Sequence, residues 1–141
     1  MEIHITTIPH SEHRPEAGPT VGDWQWSKNE DGEDVLTMRV SQTGDWRQDM
    51  LIAYHEFFEA LACKQNGVDE KAVDAFDSAW TEHDGMDEPG DDPQAPYYSE
   101  HQGAMVAERH LANYLGVNWI KYEQAIESLF PLGEPNGDSE T

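Results

Sequence analysis

The hydrophobic period changes once along the chain, and that change restricts the fold to a mixed one. Up to about Asp45 apolar residues recur at every second position. Ile3 and Ile5 do so in "EIHITTI", Trp24 and Trp26 in "DWQW", and Leu36, Met38 and Val40 in "VLTMRV". Beyond Asp45 they recur at intervals of three and four. A period of two lines one face of a strand, and a period near 3.6 lines one stripe of a helix. The order predicts an α+β domain, with a small N-terminal antiparallel sheet, a hairpin or three strands, packed on three to four helices. "NEDG", Asn29 to Gly32, supplies the turn between the two arms of the hairpin. Residues 9–22, with Pro9, Pro15, Gly18 and Pro19, read as loop.

The helices carry their own punctuation. The first is expected over 47–65, stopped by a left-handed Gly67 after Asn66. Asp69 caps a second, with Val73, Phe76 and Trp80 on its inner face. "SEHQ", Ser99 to Gln102, has capping-box spacing and opens a third, which ends at Gly116. Asn118 caps a fourth, carrying Trp119, Tyr122, Ile126 and Leu129. Between the second and third lies "TEHDGMDEPGDDPQAP", residues 81–96. Its acids Asp84, Asp87, Asp91 and Asp92 lack calcium-loop spacing, so the segment reads as solvated and mobile, placed to cover a site as a lid. Residues 131–141 read as a disordered tail, leaving one domain over 1–130.

Charge narrows the partners. Twenty-nine acidic residues face eight basic ones, a net charge of −21. Such a surface repels phosphates, so no nucleic acid binding is expected. The acid serves solubility, attracts cations or a basic partner protein, or imitates the DNA backbone. No run of about 18 apolar residues exists, so no membrane span is expected. "MEIHITTIPH" has neither a basic start nor an apolar stretch of secretory type. Cys63 is the only cysteine, which excludes an internal disulfide and predicts a reducing, cytoplasmic setting.

One stretch departs from ordinary patterning. In "YHEFFEALACK", residues 54–64, His55 and Glu59 stand one helical turn apart among apolar neighbours. On a helical wheel Leu51, Tyr54, Phe58, Leu61 and Ala62 make the apolar arc, with His55 inside it and Glu59 on its flank. In the third helix Tyr97, Ala104, Met105, Leu111, Ala112 and Leu115 share a face centred on His101 and Glu108. Asp77 sits similarly between Val73 and Trp80. Inward-facing carboxylates and imidazoles need partners or a metal. A His and a Glu at i and i+4 suit two ligands of one ion. His101 and Glu108 are about 10 Å apart along their axis, which suits one ligand and one supporting partner. Two readings follow: a divalent-metal site, or a buried polar network between helices. For Asp77 and Cys63 the structural reading leads, and the loop pair His10 and His13 reads as coincidental spacing.

"AYHEFFEA" resembles the active helix of the zincin metallopeptidases, whose pattern is HExxH. The resemblance implies His55 as a zinc ligand and Glu56 as the general base. It implies a further ligand from a later helix, His101 or Glu108. Position 59 departs from the pattern: Glu59 makes the motif HExxE, which keeps a ligand but adds negative charge. Zinc leads, while a carboxylate-rich shell also suits manganese, iron or magnesium. The segments "TIPHSEHR", "GDW", "HEFFEAL", "VDAFD" and "DDPQAPYYSEHQGA" resemble a family of small uncharacterised phage and prophage proteins. The two resemblances imply a zincin-like metal-binding phage protein, with metal-dependent, peptidase-like hydrolysis as its chemistry. The alternative is an acidic inhibitor or DNA mimic that binds a host factor, the His/Glu set being structural. A mimic needs carboxylates in ordered rows on one face, and an enzyme needs them converging in a cleft.

Overall fold

The structure, a computed structural model, describes residues 1–14, 17 and 19–130. Three strands, β1 (Glu2–Ile8), β2 (Gly22–Lys28) and β3 (Asp34–Ser41), precede four helices, α1 (Trp46–Asn66), α2 (Glu70–Ala79), α3 (Tyr98–Leu115) and α4 (Trp119–Glu127). The architecture is the expected α+β one. The disordered tail expected over 131–141 lies outside the described residues.

The β2–β3 hairpin is antiparallel, pairing Trp24 with Met38 and Trp26 with Leu36. Its turn works through Asn29, whose Oδ1 accepts from the backbone of Asp31 and Glu33, with Gly32 at φ 78°. The expectation of an all-antiparallel sheet fails at β1. That strand runs parallel to β3, so the order is β1-β3-β2 and the sheet is mixed. The reason is where the chain turns. After Ile8 it passes over the C-terminal end of β3, where His10 Nδ1 and His13 Nε2 reach Ser41 Oγ at 3.0 and 2.8 Å. It enters β2 on the far side, at Gly22 opposite Val40, and β3 then returns up the middle. His13 also meets Asp23 at 3.0 Å, and Arg14 forms a two-point bond to Asp74 of α2. These residues fasten the crossing.

Leu36, Met38 and Val40, alternating on β3, are wholly buried. They lie in two apolar clusters. One joins Trp24, Leu36, Met38, Ala60, Cys63, Val73 and Tyr97, and the other joins Val40, Leu51, Ile52, Ala53, Ala112 and Tyr122. Along α1 the two are separated by His55, Glu56 and Glu59.

The local signals mostly hold. Asp45, Asp69 and Asn118 cap α1, α2 and α4, and Gly67 and Gly116 end α1 and α3 in the left-handed region. "SEHQ" does not cap: α3 begins at Tyr98, two residues earlier than a Ser99 cap requires and without a side-chain cap, because turns from Asp92 through Ala95 run into it. The wheel for α1 is also corrected. Tyr54, Phe58 and Leu61 are exposed, and Ile52, His55, Glu59 and Cys63 form the buried face. Apolar residues surround this helix, so hydrophobicity alone does not orient it. The sheet covers one flank and α3 the other. Part of the loop over 81–96 packs inward. Asp84 and Asp87 are exposed, but Asp92 is buried and receives Gln94 N at 2.9 Å and Trp80 Nε1 at 3.1 Å.

Candidate metal centre

Antiparallel packing of α1 on α3 brings the two His/Glu sets together. His55, Glu59, His101 and Glu108 are all buried. Glu59 lies at the centre. Its Oε2 is 2.9 Å from His101 Nδ1 and 3.3 Å from His55 Nε2, and its Oε1 accepts from Trp24 Nε1 at 3.1 Å. The two rings meet edge to face at 4.8 Å. Glu108 takes a different part. It meets the other nitrogen of His55, Nδ1, at 2.8 Å, and Tyr122 donates to its second oxygen at 2.6 Å. The late-helix pair therefore divides: His101 joins the point where His55 and Glu59 converge, and Glu108 stands behind His55.

These residues fit a metal. One ligand atom from each of His55, Glu59 and His101 lies within 4.8 Å of the other two. Tetrahedral bonds of zinc length place ligand atoms about 3.3 Å apart. The observed 2.9 and 3.3 Å require only small adjustments. A carboxylate on the far nitrogen of a ligating His fixes the tautomer and the ring, which is the position of Glu108. Two imidazoles and one carboxylate suit a divalent metal ion.

The electrostatics are strongly coupled. Burial alone would lower both imidazoles. The bonds of Glu108 and Glu59 outweigh it at His55 and raise it well above the ordinary histidine range. At His101 the pull of Asp91 and Glu59 outweighs burial and raises it to about 10. Glu59 is held far below the carboxylate range, the bonds from His101 and His55 overcoming its burial. Glu56 moves the other way, raised by burial and by the charge of Glu59. Asp77 rises to about 7 through burial, although Tyr97 donates to it at 2.6 Å. It forms a polar pair with Tyr97 in the wall of the same cavity. Cys63 is buried, with its thiol pushed up by burial.

All five expected site residues line one cavity of about 480 Å³. Asp23, Glu70, Asp74, Asp77 and Glu88 share its wall, and Arg14 is the only Lys or Arg among the described lining residues. Sequence reasoning missed Trp24, Tyr122, Glu88 and Asp91 as neighbours of the centre. Tyr122 and Trp24 had a readable signal, since a buried phenol or indole N–H needs a hydrogen-bond partner. Comparison with known proteins finds no matching family model, no matching curated protein and no matching solved structure.

Proposed function

We propose that this is a zincin-like metal-binding protein of phage or prophage origin, with metal-dependent hydrolysis as its activity. His55, Glu59 and His101 hold the ion, zinc first, and Glu108 orients His55. One observation carries the reading: a carboxylate from α1 lies between ring nitrogens of two buried histidines on different helices. A bound divalent ion supplies Lewis acidity and a more acidic bound water. Glu56 lines the same cavity, and burial beside Glu59 raises its affinity for a proton, the property a carboxylate general base needs. Many of the carboxylates converge in this cavity, the arrangement expected of a cation-dependent site rather than of a surface mimic. The phage origin rests on the sequence segments alone.

The test compares four proteins: the parent, Glu56→Gln, Glu59→Ala and Glu59→His. Chelator should lower the parent's melting temperature and added zinc restore it. Glu56→Gln should keep zinc and lose hydrolysis of peptide substrates. Glu59→Ala should weaken zinc binding at the inner centre, and Glu59→His, which rebuilds HExxH, should retain it while weakening manganese. Zinc affinity unchanged in Glu59→Ala would remove Glu59 from the ligands and end the analogy.

A further inference from the structure

His101 has a second face. Its Nδ1 turns toward Glu59, while its Nε2 turns toward the loop before α3. That nitrogen is buried and makes no hydrogen bond, on a side chain only 4% exposed. Asp91 Oδ1 lies 3.4 Å from it and Glu88 Oε1 4.0 Å, near enough for attraction but without a directed bond. One ligand atom from each of Glu88, Asp91 and His101 lies within 4.8 Å of the other two. The two carboxylates are answered either by a proton on this nitrogen or by a cation shared among the three.

The loop is built to hold this arrangement. Pro89–Asp91 forms a short 3-10 turn, closed by Asp91 N on Glu88 O and Asp92 N on Pro89 O, both 3.1 Å. Gly90 lies against the imidazole: a Cβ there would collide with His101 Cγ and Nδ1. Gln102 Nε2 reaches Asp91 Oδ1 at 3.5 Å, from the next position on α3. The outer edge stays open, with the Glu88 side chain 54% exposed and that of Asp91 33%.

We infer that Glu88, Asp91 and Nε2 of His101 form a second divalent-cation site, beside the inner centre and joined to it through the His101 ring. The outer site stands on its own geometry; only the joining rests on the function proposed above. One imidazole and two carboxylates suit zinc or manganese, with solvent completing the shell. When both ring nitrogens coordinate, the imidazole releases its remaining N–H proton to solvent.

The test is zinc stoichiometry by equilibrium dialysis at physiological salt, on the full chain freed of metal with chelator. The parent should bind two ions. The double variant E88Q/D91N changes two solvent-facing side chains, so it should fold, as circular dichroism would check, and bind one. Glu59→Gln should also bind one, at the outer site. D84N/D87N, two exposed acids of the same loop, should still bind two. Two ions in E88Q/D91N, or a loss of equal size in D84N/D87N, would show diffuse attraction to acid and overturn the inference. A single ion in the parent that E88Q/D91N retains would overturn it too. A single ion lost in E88Q/D91N but kept in Glu59→Gln would uphold the outer site and remove the inner one.

Discussion

Replacing Glu59 by glutamine tests the electrostatic core of the site without changing its shape. The side chain is 7% exposed, and glutamine keeps an oxygen for Trp24 Nε1. What it removes is the negative charge between His55 Nε2 and His101 Nδ1. Removing one partner of a buried ion pair costs about 3–5 kcal/mol. Glu108 and Asp91 still face the two rings, so the low end, about 3 kcal/mol, is expected for metal-free protein. The pH dependence has a defined sign. His101, raised to about 10, contributes fully below its ordinary 6.5 and loses that contribution as pH rises through about 10. Glu59, held low, contributes above its ordinary 4.5 and loses that contribution as pH falls below it. The difference between parent and variant is therefore largest between about pH 5 and 6.5 and shrinks on both sides. Urea unfolding of chelator-dialysed protein should show about 3 kcal/mol at pH 5.5 and a smaller difference at pH 9.5. An equal difference at both values would refute the reasoning, as would one below about 0.5 kcal/mol at the lower pH.

Gly90→Ala should destabilise by about 1–3 kcal/mol in urea, because its Cβ would meet His101 Cγ, Nδ1 and Cδ2 within 2.8 Å. Unchanged stability would show that the loop does not press on the ring. At net charge −21, self-repulsion should ease with salt, so the melting temperature should rise from low to moderate ionic strength. The protein should not shift duplex DNA in a gel at any salt concentration, and tight binding there would overturn the reading of its charge.

Much of the architecture was legible because its causes are local. The change of period at Asp45, the Asn29 turn, the caps at Asp69 and Asn118 and the stops at Gly67 and Gly116 each involve residues a few positions apart. The inward bias of His55, Glu59, His101 and Glu108 was also readable, since polar groups interrupting an apolar stripe show in one dimension. Other features depend on contacts that no local window contains. β1 pairs parallel because the chain crosses over the end of β3 before β2 begins. The buried face of α1 runs through Ile52, His55, Glu59 and Cys63, not Tyr54, Phe58 and Leu61, because the sheet and α3 cover those flanks. The division of labour at the site is of the same kind. His55 meets Glu108 across 53 residues of sequence and His101 meets Glu59 across 42. A wheel supplies the angle of each side chain about its own axis. It does not supply how far one helix slides along another, and that slide puts His101 on Glu59 and leaves Glu108 behind His55.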